Sequence, residues 1–290
     1  MELVVHQILA GLATGSIYAL MALAIVMIYR ATGHLNFAQG EMATMSTFVA
    51  WQLLQWRAPY WIAFTAAVIL SFFAGIAIER LLFRPLHRAT VFAHIAASIA
   101  LFSILNSATG FIWDASIKTF PTPFGAHPVV GGLISTHEIG MIAVAFVLIF
   151  GLHVFFNHTR PGLGMRATVA NPLAAQMFGI GTGWLIAVGW GMAAAIGAVS
   201  GMLIAPVVFL EPNMMVGILV YGFAGAVLGG LARPARAAAG GFAVGVIENL
   251  AGTFIPYGRD MKLSIALMLI VIALIASRRR SFESRVAAGV

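Results

Sequence analysis

From Leu3 to Tyr29 the chain carries no Asp, Glu, Lys or Arg. A bilayer's hydrocarbon core, about 30 Å thick, needs about 20 mostly apolar residues for one helical crossing. This stretch is long enough, and it does not stand alone. Further apolar runs read as Asn36–Trp56, Tyr60–Leu82, Val91–Trp113, Ile139–Phe156, Trp184–Val208, Met214–Leu231, Ala237–Ile255 and Leu263–Ser277. The fold predicted is all-α: a polytopic transmembrane helix bundle of about nine spans (eight to ten). Composition excludes the water-soluble alternative. Only 9% of the residues are charged and 61% are hydrophobic, against roughly 25% charged in a soluble domain.

The basic residues test the count. With the amino terminus outside and one crossing per span, the inner loops hold Arg30, Arg80, Arg84, Arg88, Arg160, Arg166, Arg233, Arg236, Arg278, Arg279, Arg280 and Arg285. The outer loops hold only Arg57, Lys118, Arg259 and Lys262. That bias is the positive-inside signature, and it places the carboxyl terminus in the cytoplasm. It also accounts for the net charge of +7 without any nucleic-acid partner. With no cysteine in the chain, disulfides and thiolate metal sites are excluded, and no metal site is expected. The first apolar run lacks a basic n-region and is too long for a cleavable signal peptide. Residues 1–290 read as one membrane domain. Its longest external loop is 114–137, rich in Pro and Gly, and its longest cytoplasmic segment is 157–183.

Small residues four apart share a helix face and let a second backbone approach. Four such pairs occur: Gly11/Gly15, Gly197/Gly201, Gly225/Gly229 and Gly241/Gly245. They read as helix-packing faces, some of which could line a pore or a dimer interface. Ionisable groups inside spans are costly and default to functional candidates. Glu248, beside Asn249, is the clearest: either a pore or gate residue, or a carboxylate satisfied by neighbouring hydroxyls. Glu79 with Arg80 reads as an interfacial structural pair, and His94 as a packed polar residue. Asn36 is expected to cap the second span with Gln39 reaching back to it in a capping box. Glu41 then sits near the positive end of that helix dipole. Asn36, Gln39 and Glu41 are thus either a well-capped helix start or a gate.

In the inner segment Asn171 suits an N-cap, Pro172 the first helical position and Gly179 a helix end. A short helix from Pro172 to Phe178 would present Leu173, Met177 and Phe178 as an apolar knob, flanked by Arg160 and Arg166. No phosphate-binding loop occurs, because neither Lys118 nor Lys262 follows a glycine. Any ATP hydrolysis therefore belongs to another chain. Gly197-Ala-Val-Ser200-Gly201 has the wrong spacing for a nucleophile turn, and no enzymatic activity is expected.

Several stretches together resemble the high-affinity branched-chain amino acid ABC-transporter permease family, which includes urea and short-amide importers. They are Gly11-Leu-Ala-Thr-Gly-Ser-Ile-Tyr-Ala-Leu20, Ile28-Tyr29, Gly33-His-Leu-Asn-Phe-Ala-Gln-Gly-Glu41, Ile78-Glu-Arg-Leu-Leu-Phe-Arg-Pro85, Phe178-Gly-Ile180 and Ala226-Val-Leu-Gly-Gly230. The resemblance implies a multi-pass protein of the bacterial inner membrane. Its partners would be a second permease subunit (related chain or self), two cytoplasmic ATPases that bind ATP and Mg, and a periplasmic substrate-binding protein. This chain would carry no cofactor. By the same resemblance, Gly164, Arg166, Ala167, Ala175, Gly179 and Ile180 would form the element that couples to the ATPases. Gln39, Ala170, Arg233 and Arg236 depart from the family's usual residues. The rival reading is an ion-coupled secondary transporter or channel for a small solute, working through Glu41 and Glu248.

Overall fold

The computed structural model describes residues 2–87, 89–231, 233–256, 258 and 261–287, and side chains throughout these except Val130 and 276–287. Arg88 and Arg259, and the side chains of Arg278, Arg279, Arg280 and Arg285, lie outside the described residues.

The helices are α1 Glu2–Thr32, α2 Gln39–Gln55, α3 Tyr60–Ile78, α4 Val91–Trp113, α5 Thr136–His158, α6 Arg160–Ala170, α7 Pro172–Met177, α8 Thr182–Val208, α9 Met214–Gly229, α10 Pro234–Phe254 and α11 Lys262–Ala287. A π-helical turn, Glu79–Phe83, extends α3. The β content is one hairpin, β1 Pro128–Val129 with β2 Ile134–Ser135, paired antiparallel. The fold is therefore that of an all-α polytopic membrane protein.

Six helices are long and apolar enough to cross a bilayer: α1, α3 with its π turn, α4, α5, α8 and α10. Two shorter apolar helices, Met214–Gly229 and Lys262–Ile275, fall below that length. The expected second span is more polar still. Its helix begins at Gln39 rather than Asn36 and keeps Gln39, Glu41, Thr44 and Thr47 buried. At 1.5 Å per residue α2 and α9 are about 24–26 Å long, and both are packed within the bundle.

Burial is distributed accordingly. α1 is enclosed from Gly15 to Ile28, with α10, α8, α9 and α5 around it. α8 is the second central helix, between α1, α2 and α3. The flanks of α3, α4, α5 and α11 turn Phe73, Phe92, Phe111, Phe150 and Leu267 outward. Such an apolar exterior matches hydrocarbon, where helices satisfy their own backbone groups.

Glycine sets the closest approaches. A Cβ on Gly245 would collide with Gly15 Cα, and one on Gly11 would lie 2.7 Å from Val246 Cα. On the other face of α10, a Cβ on Gly225 would lie 2.6 Å from Gly241 Cα, and Gly229 abuts Arg236. Gly197 and Gly201 accept α2 in the same way, against Gln39 and Ala43. All four pairs thus pack helices inside this one chain.

The connections gather at two ends. At one end the Leu133 carbonyl accepts from His6 Nδ1 (2.8 Å), and Lys118 and Leu210 exchange backbone hydrogen bonds of 2.9 Å. At the other, Arg30, Arg166 and Pro234 border a shared cavity. The loop expected at 114–137 ends at Ser135, whose side chain and Glu138 form a capping box for α5. The inner segment holds one helix more than its sequence announces, because α6 follows α5 after Thr159 alone.

Candidate coupling elbow and buried polar groups

α6 and α7 form an elbow at the end of α5. Thr159 Oγ1 accepts from Gly162 N (3.2 Å), and Pro161 stands in the first turn. Both features start a helix locally. Asn171 then interrupts it with an extended backbone (φ −156°, ψ 99°), and its side-chain oxygen accepts from Ala174 N at 3.0 Å. Gly179 ends α7 at φ +76°, a left-handed conformation that glycine adopts without strain. Ile180 N donates to the Ala175 carbonyl (3.0 Å), closing the turn.

The elbow's inner face is anchored. Met165, Thr168 and Ala175 are buried, and a Cβ on Gly164 would meet Leu185 of α8 at 3.0 Å. Gln176 Nε2 donates to Thr182 Oγ1 (2.9 Å). Its outer face is bare: Leu173, Met177 and Phe178 are 71%, 82% and 86% exposed. Arg166 Nη1 donates to Asn157 Oδ1 (2.9 Å), the penultimate residue of α5. Ala167 lies on the same helix, and its carbonyl accepts from Asn171 N (3.0 Å).

The gate candidates separate into two places. Asn36 does not cap α2, and no capping box forms. Its oxygen accepts from Ala38 N (3.0 Å), an Asx turn inside the loop, and its amide faces Met42 Sδ. Gln39 is taken instead by α8, donating to the Ala193 carbonyl at 2.9 Å. Glu41 is fully buried. One oxygen accepts from Asn106 Nδ2 (3.3 Å), and the other has no partner. Asn106 also donates to Asn213 Oδ1 (2.9 Å), joining α2, α4 and the start of α9.

Glu248 stands near the opposite side of α1, towards the α10–α11 connection. Tyr18 donates to its Oε2 (2.8 Å), and Lys262 Nζ is 2.7 Å from its Oε1. Tyr18 in turn stacks on Tyr221. Asn249 donates to Thr14 Oγ1 (2.8 Å). Glu79 makes no ion pair with Arg80, contrary to expectation, because Arg80 lies 5.0 Å over the Trp184 ring. His94 is buried, with its ring centroid 4.1 Å from that of His34.

Three of these partners escaped the sequence reading. Asn106 is the bulkiest polar side chain between His94 and Trp113, which was a usable signal. Lys262 opens a span near an intramembrane carboxylate, which was another. Nothing local marks Ala193. Among the described residues no group of His, Cys, Asp or Glu is arranged to hold a metal ion.

Comparison with known proteins closes the case for the family. The chain is 29% identical to the high-affinity branched-chain amino acid transport system permease protein BraD of Pseudomonas aeruginosa, over 93% of this chain and 92% of that one. It is 26% identical to the permease LivH of Escherichia coli, over 92% of each. A probable LivH of Methanocaldococcus jannaschii is 27% identical over 89% of this chain and 87% of its own. Among solved structures, PsaBC from Streptococcus pneumoniae in complex with Fab superposes with a TM-score of 0.50. It covers 91% of this chain and 89% of that one at 13% identity, a likeness of fold alone. Residues 7–274 match the family described as branched-chain amino acid transport system, permease component; the chain belongs to that family and is a multi-pass membrane permease of the ABC-transporter type.

Proposed function

We propose that the chain is the translocating subunit of an ATP-driven importer of branched-chain amino acids or related small amides, including urea. It works in the bacterial inner membrane with nine crossings, the amino terminus outside and the carboxyl terminus cytoplasmic. Its partners are a second permease subunit, two cytoplasmic ATPases that bind ATP and Mg, and a periplasmic substrate-binding protein. ATP-driven closure of the ATPases reaches the bundle through the elbow of α6 and α7.

The observation that carries this reading is the knob of Leu173, Met177 and Phe178. Three large apolar side chains project from a capped turn at the end where the basic loops gather. Exposed apolar groups in such a cluster mark a contact surface. The geometry suits a groove in a soluble partner. The ion-coupled rival would work through two carboxylates; Glu248 is committed to Lys262 and Tyr18, which leaves it Glu41 alone, held on one oxygen by Asn106.

The test is co-purification. Replacing Leu173 and Phe178 together by Asp is expected to abolish capture of the ATPase subunits and leave the melting of the isolated bundle unchanged. Retained capture, or cysteine labelling that places the elbow outside the cell, sinks the reading.

A further inference from the structure

Between α5 and the start of α10 a slot of about 560 Å³ opens on the flank of the bundle. Above it the two helices meet where Phe146 stacks on Phe242, with ring centroids 5.4 Å apart. Its floor is Leu23 of α1, which is 1% exposed. Ile149 and Leu152 line its wall, while Phe146 and Phe150, both more than half exposed, form a lip that faces sideways, towards lipid. From Phe146 to Asn157 is about 16 Å along α5, roughly half of the hydrocarbon core. The slot is therefore as deep as one leaflet.

At the elbow end the slot changes character. Arg30 and Arg166 border its mouth together with Pro234, the first residue of α10. Arg30 is half-buried, and its guanidinium makes no ion pair or hydrogen bond among the described residues. Arg166 gives Nη1 to Asn157 (2.9 Å), which leaves the rest of its fork unengaged among those residues. The two guanidiniums lie close enough for their charges to repel. The positive end of the α10 dipole adds to the same mouth. No Asp or Glu among the described residues lines the slot. Glu79 lines the neighbouring cavity with His34 and Arg84, is 1% exposed, and has the charges of Arg84 and Arg80 acting on it.

A free anion such as phosphate would satisfy the guanidiniums and leave the apolar slot empty. An apolar helix of another subunit would fill the slot and leave the guanidiniums facing each other. A zwitterionic head group would bring its own cation into a mouth that already holds two. An anionic phospholipid answers both halves, because guanidinium forks match phosphate oxygens and basic pockets between membrane helices suit such head groups. We propose that the slot binds one anionic phospholipid, its phosphodiester on Arg30 and Arg166 and one acyl chain along α5 over Leu23. The head group then ties α6, through Arg166, to the end of α1. That this is the cytoplasmic leaflet rests on the orientation proposed above; the site itself does not.

The experiment is native mass spectrometry of the full chain in detergent, titrated with dioleoylphosphatidylglycerol or dioleoylphosphatidylcholine. One phosphatidylglycerol is expected to bind more tightly than phosphatidylcholine and to resist displacement by excess inorganic phosphate. Arg30→Gln and Arg166→Gln should each weaken it about fivefold, the equivalent of about 1 kcal/mol per basic residue. Ala235→Trp, at the exposed mouth, should exclude the lipid without changing any charge. Arg57→Gln, at the other end of the bundle, should leave binding as it was. The melting temperature of each variant reports folding, and cysteine labelling of the elbow tests the orientation separately. Equal affinity for phosphatidylcholine would make the slot an unselective groove, and displacement by phosphate a plain anion site. A change of oligomeric mass in Ala235→Trp with the lipid count unaltered would assign the slot to a second copy of the chain. Each of these results overturns the proposal, as does undiminished binding in both arginine variants.

Discussion

Lys262 Nζ lies 2.7 Å from Glu248 Oε1, while the Tyr18 hydroxyl donates to the other carboxylate oxygen at 2.8 Å. This pair ties the first turn of α11 to α10 and, through Tyr18, to the central helix. The carboxylate is nearly enclosed and the ammonium only about two-thirds so. Removing one partner of a buried pair is far costlier than removing both. Lys262→Met is expected to destabilise the bundle by about 2–3 kcal/mol. Combining it with Glu248→Leu should recover at least half of that loss. Thermal unfolding of the three proteins in one detergent measures it, and a double variant no more stable than Lys262→Met would show that the pair is not the linkage described.

Gly241 and Gly110 make a matched contrast on apolar helices. A Cβ on Gly241 would collide with the backbone of Ala19, whereas one on Gly110 meets nothing within 4 Å. Two packed backbones cannot part without opening the α1–α10 seam. Gly241→Ala should therefore cost about 1–3 kcal/mol by overpacking. Gly110→Ala should stabilise α4 by about 0.5–1 kcal/mol through the ordinary helix preference. Melting temperatures moving in the same direction for both would contradict this packing.

His34 stands in the turn between α1 and α2, and its imidazole is held below the ordinary histidine range. Burial is the main cause, followed by the neighbouring rings of His94 and His87. Arg30 and Arg84 add positive charge around the same cavity, and Glu79 is the one acid among them. A lowered folded-state value means that the neutral ring belongs to the folded turn. Its contribution is complete above the ordinary value of about 6.5 and is lost as pH falls through the lowered one. Backbone amides of residues 33–38 should thus exchange faster, after correction for intrinsic rates, at about pH 5.5 than at about pH 7.5. His34→Gln should erase the difference; a difference that survives the substitution would assign it to another group.

The parts of this fold that could be read from the sequence are those whose causes are local. Asn171, Pro172 and Gly179 write a helix start and stop within nine positions, and the structure forms that helix from Pro172 to Met177. The long apolar runs were equally plain, since lipid selects composition and not contact. Gln39 was misassigned because two partners compete for its amide, and the winner, the Ala193 carbonyl, is 154 residues away. Glu79 and Arg80 looked like a pair because they are neighbours. Consecutive residues of a helix point to different sides, and Arg80 lies over the Trp184 ring. α6 was missed because Gly162, Gly164 and Pro161 read as loop residues, although Thr159 caps them and Gly162 fits tightly beneath Phe155. Sites assembled from distant carbonyls and irregular turns are therefore the ones a sequence conceals.

The elbow allows the proposed coupling to be tested without touching the knob itself. Asn171→Ala removes the acceptor for Ala174 N and should loosen α7 by about 1 kcal/mol. Gly179→Val forces a β-branched residue to φ +76°, at a cost of about 1–2 kcal/mol. Arg166→Ala frees α6 from Asn157. None of these side chains belongs to the apolar surface offered to a partner, so docking should persist in all three. What changes is stiffness: a lever that bends transmits less displacement to α5 and α8. Each variant, reconstituted with its ATPases and binding protein, is expected to keep at least half of its ATP hydrolysis while transport falls several-fold. The combination of Asn171→Ala with Gly179→Val should fall further than either alone. A wild-type ratio of solute moved to ATP hydrolysed in all three would remove the elbow from the coupling path, whatever its exposed knob binds.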